Sequence, residues 1–355
     1  MRIRNYKYYV CDFETTVYKG QQYTEVWAAA VVELNTEDVK ILHSIQEFLG
    51  YIFSLNVNIV GYFHNLKFDG NFIIDWLLRN DYKWNRVAEG KMKTNEFKCA
   101  ISDRGAWYTI TIKKGQTVIE FRDSLKLLPF SVKRIGKCFK TAHKKLDMEY
   151  EGFRYAGCEI TEKEKEYIAN DVLVVKEALE IMFERGHQKL TIGSCCLEEF
   201  KSTYDKTDFK NFFPNLTEIE IDPDLYGESN ADAYIRHSYR GGYCYLVKGK
   251  ENKIYDNGWT ADINSSYSSN MSSESGNYYP VGKPMFWKGD IPKEADNKYY
   301  FVRIRCRFNI KEGMLPTVQI KGTLLYNGTD YLTTSDYYDY QSGTYKRYYM
   351  KQGVK

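Results

Sequence analysis

Two carboxylates stand two residues apart in an otherwise apolar run, Tyr8-Tyr9-Val10-Cys11-Asp12-Phe13-Glu14-Thr15-Thr16. On an extended strand alternate side chains share a face, so Asp12 and Glu14 point together while Cys11 and Phe13 turn into a core. Like charges on one face repel, and a divalent cation between them removes that penalty and keeps both ionised. The plainer alternative is an edge strand with two solvated acids. Two further stretches place acids in ordered settings. Asp69, in His64-Asn65-Leu66-Lys67-Phe68-Asp69-Gly70, stands where a strand gives way to a helix, a position suited to metal binding or to capping that helix. In Tyr167-Ile168-Ala169-Asn170-Asp171 the i, i+4 spacing puts Tyr167 and Asp171 on one helix face, whose plain reading is a solvated surface.

Holding these residues takes alternating strands and helices. Residues 6–13 and about 25–34 read as paired strands rich in β-formers and small residues. Ser44-x-x-Glu47 is a capping box that opens a helix to about residue 54, residues 57–63 form a buried strand, and an apolar helix covers Phe72 to Leu78. Residues 105–112 and 117–122 make a hairpin around Lys114-Gly115-Gln116, and Thr161-x-x-Glu164 caps a helix to about residue 184. Beyond Gly186 the pattern loosens, and short strands, glycines and a Ser-rich patch at 265–275 replace the helices. A boundary near residue 190 follows, with domains at 1–190 and 191–355. From about residue 335 the chain is Tyr-rich and polar with no apolar period, which predicts a frayed or artificial end.

Composition narrows the function classes. With 43% hydrophobic residues in 355, the chain can pack a core in each of two domains. Fifty basic against 47 acidic residues give a net charge of +3, too balanced to name a partner. Eight cysteines without Cys-x-x-Cys spacing argue against a zinc site and a disulfide framework and predict reduced thiols. No apolar run reaches the roughly 20 residues of a membrane span, and the N-terminus lacks a signal-peptide core, so a soluble, intracellular protein without membrane partners is expected. Charge is local instead: between Phe121 and Tyr150 eight Lys/Arg face three acids, a stretch suited to phosphates.

Together the three acidic stretches resemble the Asp-x-Glu, Asn-x-x-Phe-Asp and Tyr-x-x-x-Asp boxes of DEDDy 3′–5′ exonuclease domains, in the same order. Within that class the chain is similar to the protein-primed family B DNA polymerases of small tailed bacteriophages, whose exonuclease is N-terminal. The resemblance implies a ribonuclease H-like α/β exonuclease domain followed by an incomplete α+β polymerase palm with an insertion. It implies that Asp12, Glu14, Asp69 and Asp171 carry two divalent metals and that Tyr167 orients the attacking water. Four carboxylates suit hard Mg2+ or Mn2+ better than zinc. Thr15, Asn65, Phe68, Ser124, Leu125 and Tyr150 resemble the residues with which the family holds a single-stranded 3′ end, and Lys145 its auxiliary exonuclease lysine.

The second part carries weaker matches. Ser238-Tyr239-Arg240-Gly241-Gly242-Tyr243 matches the family's Tyr-x-Gly-Gly motif, which implies DNA contact by Tyr239, Gly241 and Gly242. Asp262-Ile263-Asn264-Ser265-Ser266-Tyr267 resembles the first palm motif, in which the Asp binds metal, although Ser266 and Ser268 replace the family's Leu and Pro. Lys311 to Lys321 resembles the segment leading to the terminal-protein insertion. Neither an Asp-Thr-Asp box nor the fingers lysine follows, so Asp262 is an orphan palm ligand and the chain reads as a truncated polymerase or one piece of a split enzyme. The expected function is metal-dependent 3′–5′ degradation of single-stranded DNA ends, in the cytoplasm of an infected bacterial host. Expected partners are single-stranded and primer-template DNA, a terminal protein and a second polypeptide; the alternatives are a split polymerase completed in trans or a non-catalytic module binding single-stranded DNA or terminal protein.

Overall fold

The apolar run around Asp12 forms the long strand β1 (Tyr6–Thr15) in the computed structural model. The structure describes residues 6–16, 18–86, 91–148, 153–238, 250, 252–290, 292–295, 298–301, 334–339 and 344–349. After β1 come β2 (Val26–Glu33), β3 (Lys40–Leu42), α1 (Ile45–Ser54), β4 (Asn58–Phe63), α2 (Leu66–Arg79), β5 (Lys83–Trp84), β6 (Glu96–Ile101), β7 (Trp107–Lys114), β8 (Thr117–Asp123), α3 (Val132–Cys138), α4 (Glu162–Glu184) and α5 (Ile192–Ser202). One eight-stranded sheet takes the order β3-β2-β1-β4-β8-β7-β6-β5. Its middle, β1-β4-β8, is parallel, and β2 and β7 flank it antiparallel. The fold is the expected mixed α/β.

Both faces of the sheet are covered, which is why β2 can read Val-Trp-Ala-Ala-Ala-Val-Val without alternation. One core contains Val10, Val60 and Tyr62 with Ile135 of α3 and Ile168, Val172, Val175 and Leu179 of α4. The opposite core contains Cys11, Phe13, Ile59 and Phe63 with Phe48 of α1 and Ile73 and Leu77 of α2. Phe13 meets Phe48 and Phe63 edge-on at 4.9 and 5.0 Å between ring centroids. That contact locks the alternation of β1, so Asp12 and Glu14 lie on the α4 side. Gly61 of β4 is required there, since a Cβ would fall 2.8 Å from the Phe121 ring.

Caps and turns agree with the sequence where their signals are local. Thr161 and Glu164 form a full capping box on α4, and Gly115, at φ +55°, turns the β7–β8 hairpin. On α1 the Ser44 hydroxyl accepts from the Glu47 N–H at 3.1 Å, but the Glu47 carboxylate takes the His43 N–H at 2.8 Å. Helix α2 starts at Leu66 rather than Phe72, because its first turn is capped from outside: Asp123 Oδ1 accepts from the Asn65 and Leu66 N–H groups at 3.1 and 3.3 Å. Asp69 is therefore not the cap of α2.

A first compact unit runs through Thr203 and includes α5; the second covers Tyr204–Lys355. Taken by itself, the second holds short helices, α6 (Lys206–Phe212), α7 (Pro223–Tyr226), α8 (Ala231–Arg236) and α9 (Ser266–Met271). The tail expected to fray pairs as an antiparallel hairpin, β9 (Thr334–Asp339) with β10 (Thr344–Tyr349), because backbone pairing needs no apolar period. No helix among the described residues is long and apolar enough to cross a membrane.

Candidate metal centre

Strand β1 outruns its parallel neighbour. The last paired residue of β4, Phe63, lies opposite Cys11, so Asp12 to Thr15 pair only with β2. Across from Asp12 and Glu14 stand Ala30 and Ala28, fully buried and too small to crowd the carboxylates. The overhang opens at the carboxyl ends of β1, β4 and β8, where open α/β sheets characteristically place ligands. Helix α4 closes it from above: ligand oxygens of Asp12, Glu14 and Asp171 all lie within 4.8 Å of one another. Asp69 approaches from the first turn of α2, outside that trio, yet near enough for its charge to act on Asp12.

Gathering these acids is electrostatically costly. Burial first, then the charges of Asp69 and Glu14, hold the Asp12 carboxyl well above the usual carboxylate range. Burial pushes Asp69 up to about 8, against the pull of the Asp69 and Phe13 backbone N–H groups. Asp171 is raised by burial too, with the Lys145 ammonium opposing. Asp69 Oδ1 and Asp171 Oδ1 are buried without a hydrogen-bond partner. One orphaned oxygen within the crowded carboxylate trio and another on Asp69 fit a hard divalent cation, whose charge would offset these penalties. The buried Cys11 thiol belongs to the opposite face and offers no soft ligand.

Lys145 and Tyr167 complete the centre. The Lys145 ammonium pairs with Asp171 Oδ2, donates to the Tyr167 hydroxyl at 2.7 Å and lies 4.3 Å from that ring's centroid. Burial raises the Tyr167 pKa, so its hydroxyl stays protonated. The expected strand-holding residues occupy the rim unequally. Thr15 follows a register shift after Glu14, Asn65 caps α2 in a left-handed conformation at φ +81°, and Phe68 is exposed. Leu125 is half-buried and donates its N–H to Asp123 Oδ1 at 3.1 Å. Ser124 is fully buried, its hydroxyl bonded to the Phe63 carbonyl at 3.1 Å, which is a positioning contact. Tyr150, Tyr239, Gly241 and Gly242 lie outside the described residues. Asp262 belongs to the second unit, exposed like its neighbours Ile263 and Tyr267.

Two residues escaped the sequence reading. Asp123, 2% exposed, anchors the start of α2 and hence Asp69. His64 donates from Nε2 to the Phe130 carbonyl at 2.7 Å, and its Nδ1 lies 3.0 Å from Ser124 Oγ; burial lowers its pKa. The available signal was weak: Asp123 is an acid closing a predicted strand, and its partners lie some 60 residues away in sequence.

Comparison with known proteins gives this arrangement a lineage. The family model described as DNA polymerase type B, organellar and viral, matches residues 53–157 and 154–338. The DNA polymerase of Bacillus phage phi29 is 38% identical over 337 residues, covering 93% of this chain and 54% of the relative. The DNA polymerase of Streptococcus phage Cp-1 is 31% identical over 353 residues, covering 92% and 56%. Among solved structures, phi29 DNA polymerase complexed with primer-template DNA and incoming nucleotides superposes with a TM-score of 0.74 at 35% identity, over 98% of this chain and 56% of that one. The same enzyme complexed with single-stranded DNA gives 0.70 at 35% identity, over 90% and 54%. The chain thus spans about half the length of the relatives it matches, their N-terminal portion. This chain belongs to the organellar and viral type B DNA polymerases, on the branch of the protein-primed phage enzymes.

Proposed function

We propose that residues 1–190 form a 3′–5′ exonuclease that trims single-stranded DNA ends, the proofreading part of a protein-primed polymerase. The observation that carries this reading is the convergence of Asp12, Glu14 and Asp171 within 4.8 Å, with orphaned oxygens on Asp69 and Asp171. Mg2+ or Mn2+ bound by these four acids would supply an activated water and stabilise the departing 3′ oxygen. The protein's own groups do the rest. Tyr167, protonated and fixed by Lys145, holds the attacking water by its hydroxyl. Phe68 offers an exposed ring to a terminal base, a contact worth about 1–3 kcal/mol. Thr15, Asn65 and Leu125 line the path of the strand, Ser124 supports it from beneath, the basic stretch 122–145 draws in its phosphates, and Tyr150 is a further proposed DNA-binding residue on the strength of the family resemblance alone.

Residues 191–355 are read as a partial palm in which Tyr239, Gly241 and Gly242 contact DNA and Asp262 is a lone metal ligand. Primer-template DNA, a terminal protein and a second polypeptide are its proposed partners, in the cytoplasm of the infected host. Purified protein carrying Asp12→Ala tests the palm by primer extension with and without a candidate second chain. For the exonuclease the test is release of nucleotides from a 5′-labelled single strand. Chelation should stop it, and Asp12→Ala with Glu14→Ala should slow it by at least ~10³. Undiminished, metal-dependent degradation by that double variant would refute the assignment.

A further inference from the structure

Residues 139–145 cross from the end of α3 to Lys145 as a strap held on α4 at its middle and at its far end. Glu177 clamps the middle. Its Oε2 accepts from the Ala142 N–H at 2.5 Å, and its Oε1 accepts from the His143 N–H at 3.3 Å and from His143 Nδ1 at 2.5 Å. The turn between is closed by the Thr141 hydroxyl, which donates to the His143 carbonyl at 2.7 Å, and by Lys144, whose ammonium donates to the Thr141 carbonyl. Lys140 enters the turn in the left-handed region, at φ +53°. At the far end Lys145 rests on Tyr167 and Asp171, and Glu177 lies six positions after Asp171 on α4, about 9 Å along the helix.

A lysine side chain has about 2 kcal/mol of rotamer freedom, so four methylenes alone do not keep its ammonium over one carboxylate. What limits Lys145 is the strap backbone two residues before it, and three donors on a single carboxylate fix that backbone. We propose that Glu177, with His143, is a positioning residue of the exonuclease: it sets the reach of Lys145 onto Tyr167 and Asp171 without touching the metal centre or the DNA. This rests on the exonuclease reading for its kinetic consequence but not for its structural one.

The test has two arms in the full chain. In the kinetic arm, Glu177→Ala should lower kcat for single-stranded DNA about 10-fold, the scale of losing a supporting partner, with KM nearly unchanged. The same change placed in a Lys145→Ala background should cost nothing further, since both remove one function. His143→Ala should repeat the effect more weakly and serves if Glu177→Ala does not fold. In the structural arm, the ammonium's place over the Tyr167 ring should displace the Lys145 Cε resonance in 13C-lysine spectra, assigned with Lys145→Arg. Glu177→Ala should return it to the position of solvent-exposed lysines, and Glu177→Gln, which keeps one acceptor, should leave it between. An unmoved Lys145 resonance, or full multiplication of the two kinetic losses, would overturn the proposal. Absence of nuclease activity in every form, with the resonance still responding, would refute the exonuclease reading and leave the clamp standing.

Discussion

The cost of assembling the acids makes a prediction that needs no nuclease assay. In Asp69→Asn the amide keeps an acceptor for the Phe13 N–H and removes the buried charge. In the metal-free protein the Asp69 pKa rises from 3.8 to about 8, and at about 1.36 kcal/mol per pH unit that is an upper figure of roughly 6 kcal/mol. Water entry and local relaxation reduce such penalties, so about 2 kcal/mol is the working value. The sign follows from proton counts. Because the folded pKa lies above the unfolded one, the folded state binds more protons between pH 4 and 8, and stability falls as pH rises through that window. Below pH 4 both states are protonated and the penalty vanishes. Asp69→Asn should therefore leave Tm nearly unchanged near pH 4 and raise it by about 4–8 °C at pH 9, at roughly 2–4 °C per kcal/mol for a unit of this size. Calorimetry in EDTA across pH 4–9 measures the difference. Saturating Mg2+ at pH 9 should stabilise the wild type and have much less effect on the variant. A Tm difference independent of pH, or an Asp69→Asn protein less stable at pH 9, would refute the electrostatic account.

Further outcomes follow from individual contacts. Tyr167→Phe should lower kcat for end degradation ~10²-fold with DNA affinity nearly unchanged, as measured by single-turnover kinetics; a matching loss of affinity would make the ring a stacking platform instead. Asp123→Ala should cost about 1–3 kcal/mol by orphaning the N–H groups of Asn65, Leu66 and Leu125, and denaturant unfolding should show a lower midpoint at an unchanged m value. Asp262→Ala should leave 3′-end degradation unchanged, because every acid of the candidate centre lies in the first unit; a tenfold fall would place Asp262 in the nuclease.

The sequence made legible whatever depends on neighbours along the chain. Alternation in β1 predicted the shared face of Asp12 and Glu14, and the Thr161 box set α4 and with it the shared face of Tyr167 and Asp171, where both meet Lys145. Asp69 was recognised as an acid at the strand-to-helix junction, but its alternative role as a cap failed because Asp123 occupies that role from another strand. Strand β6 was invisible for a similar reason. Of Glu96-Phe97-Lys98-Cys99-Ala100-Ile101 only Phe97 is buried, so its pairing with β7, rather than any pattern of its own, makes it a strand. The Glu177 clamp was unreadable, since a glutamate on a predicted helix face says nothing about which backbone amides it will meet.

The overhang of β1 explains why these acids are tolerated at all. Had β4 continued past Phe63, it would have lain along the other edge of Asp12–Thr15 and closed the space in which Asp69 and Asp171 now converge. Ending β4 there and turning directly into α2 brings Asp69 to the gap through a helix start that Asp123 must hold from outside. A helix begun without that cap would leave two amide groups unsatisfied and Asp69 poorly placed. The ammonium of Lys145 occupies one side of the same gap, countering Asp171 while leaving Asp171 Oδ1 and Asp69 Oδ1 unpaired. Lys145 neutralises one carboxylate only, so a divalent cation held by the four acids would relieve the burial and repulsion that raise Asp12 and Asp69 and that the lysine leaves in place.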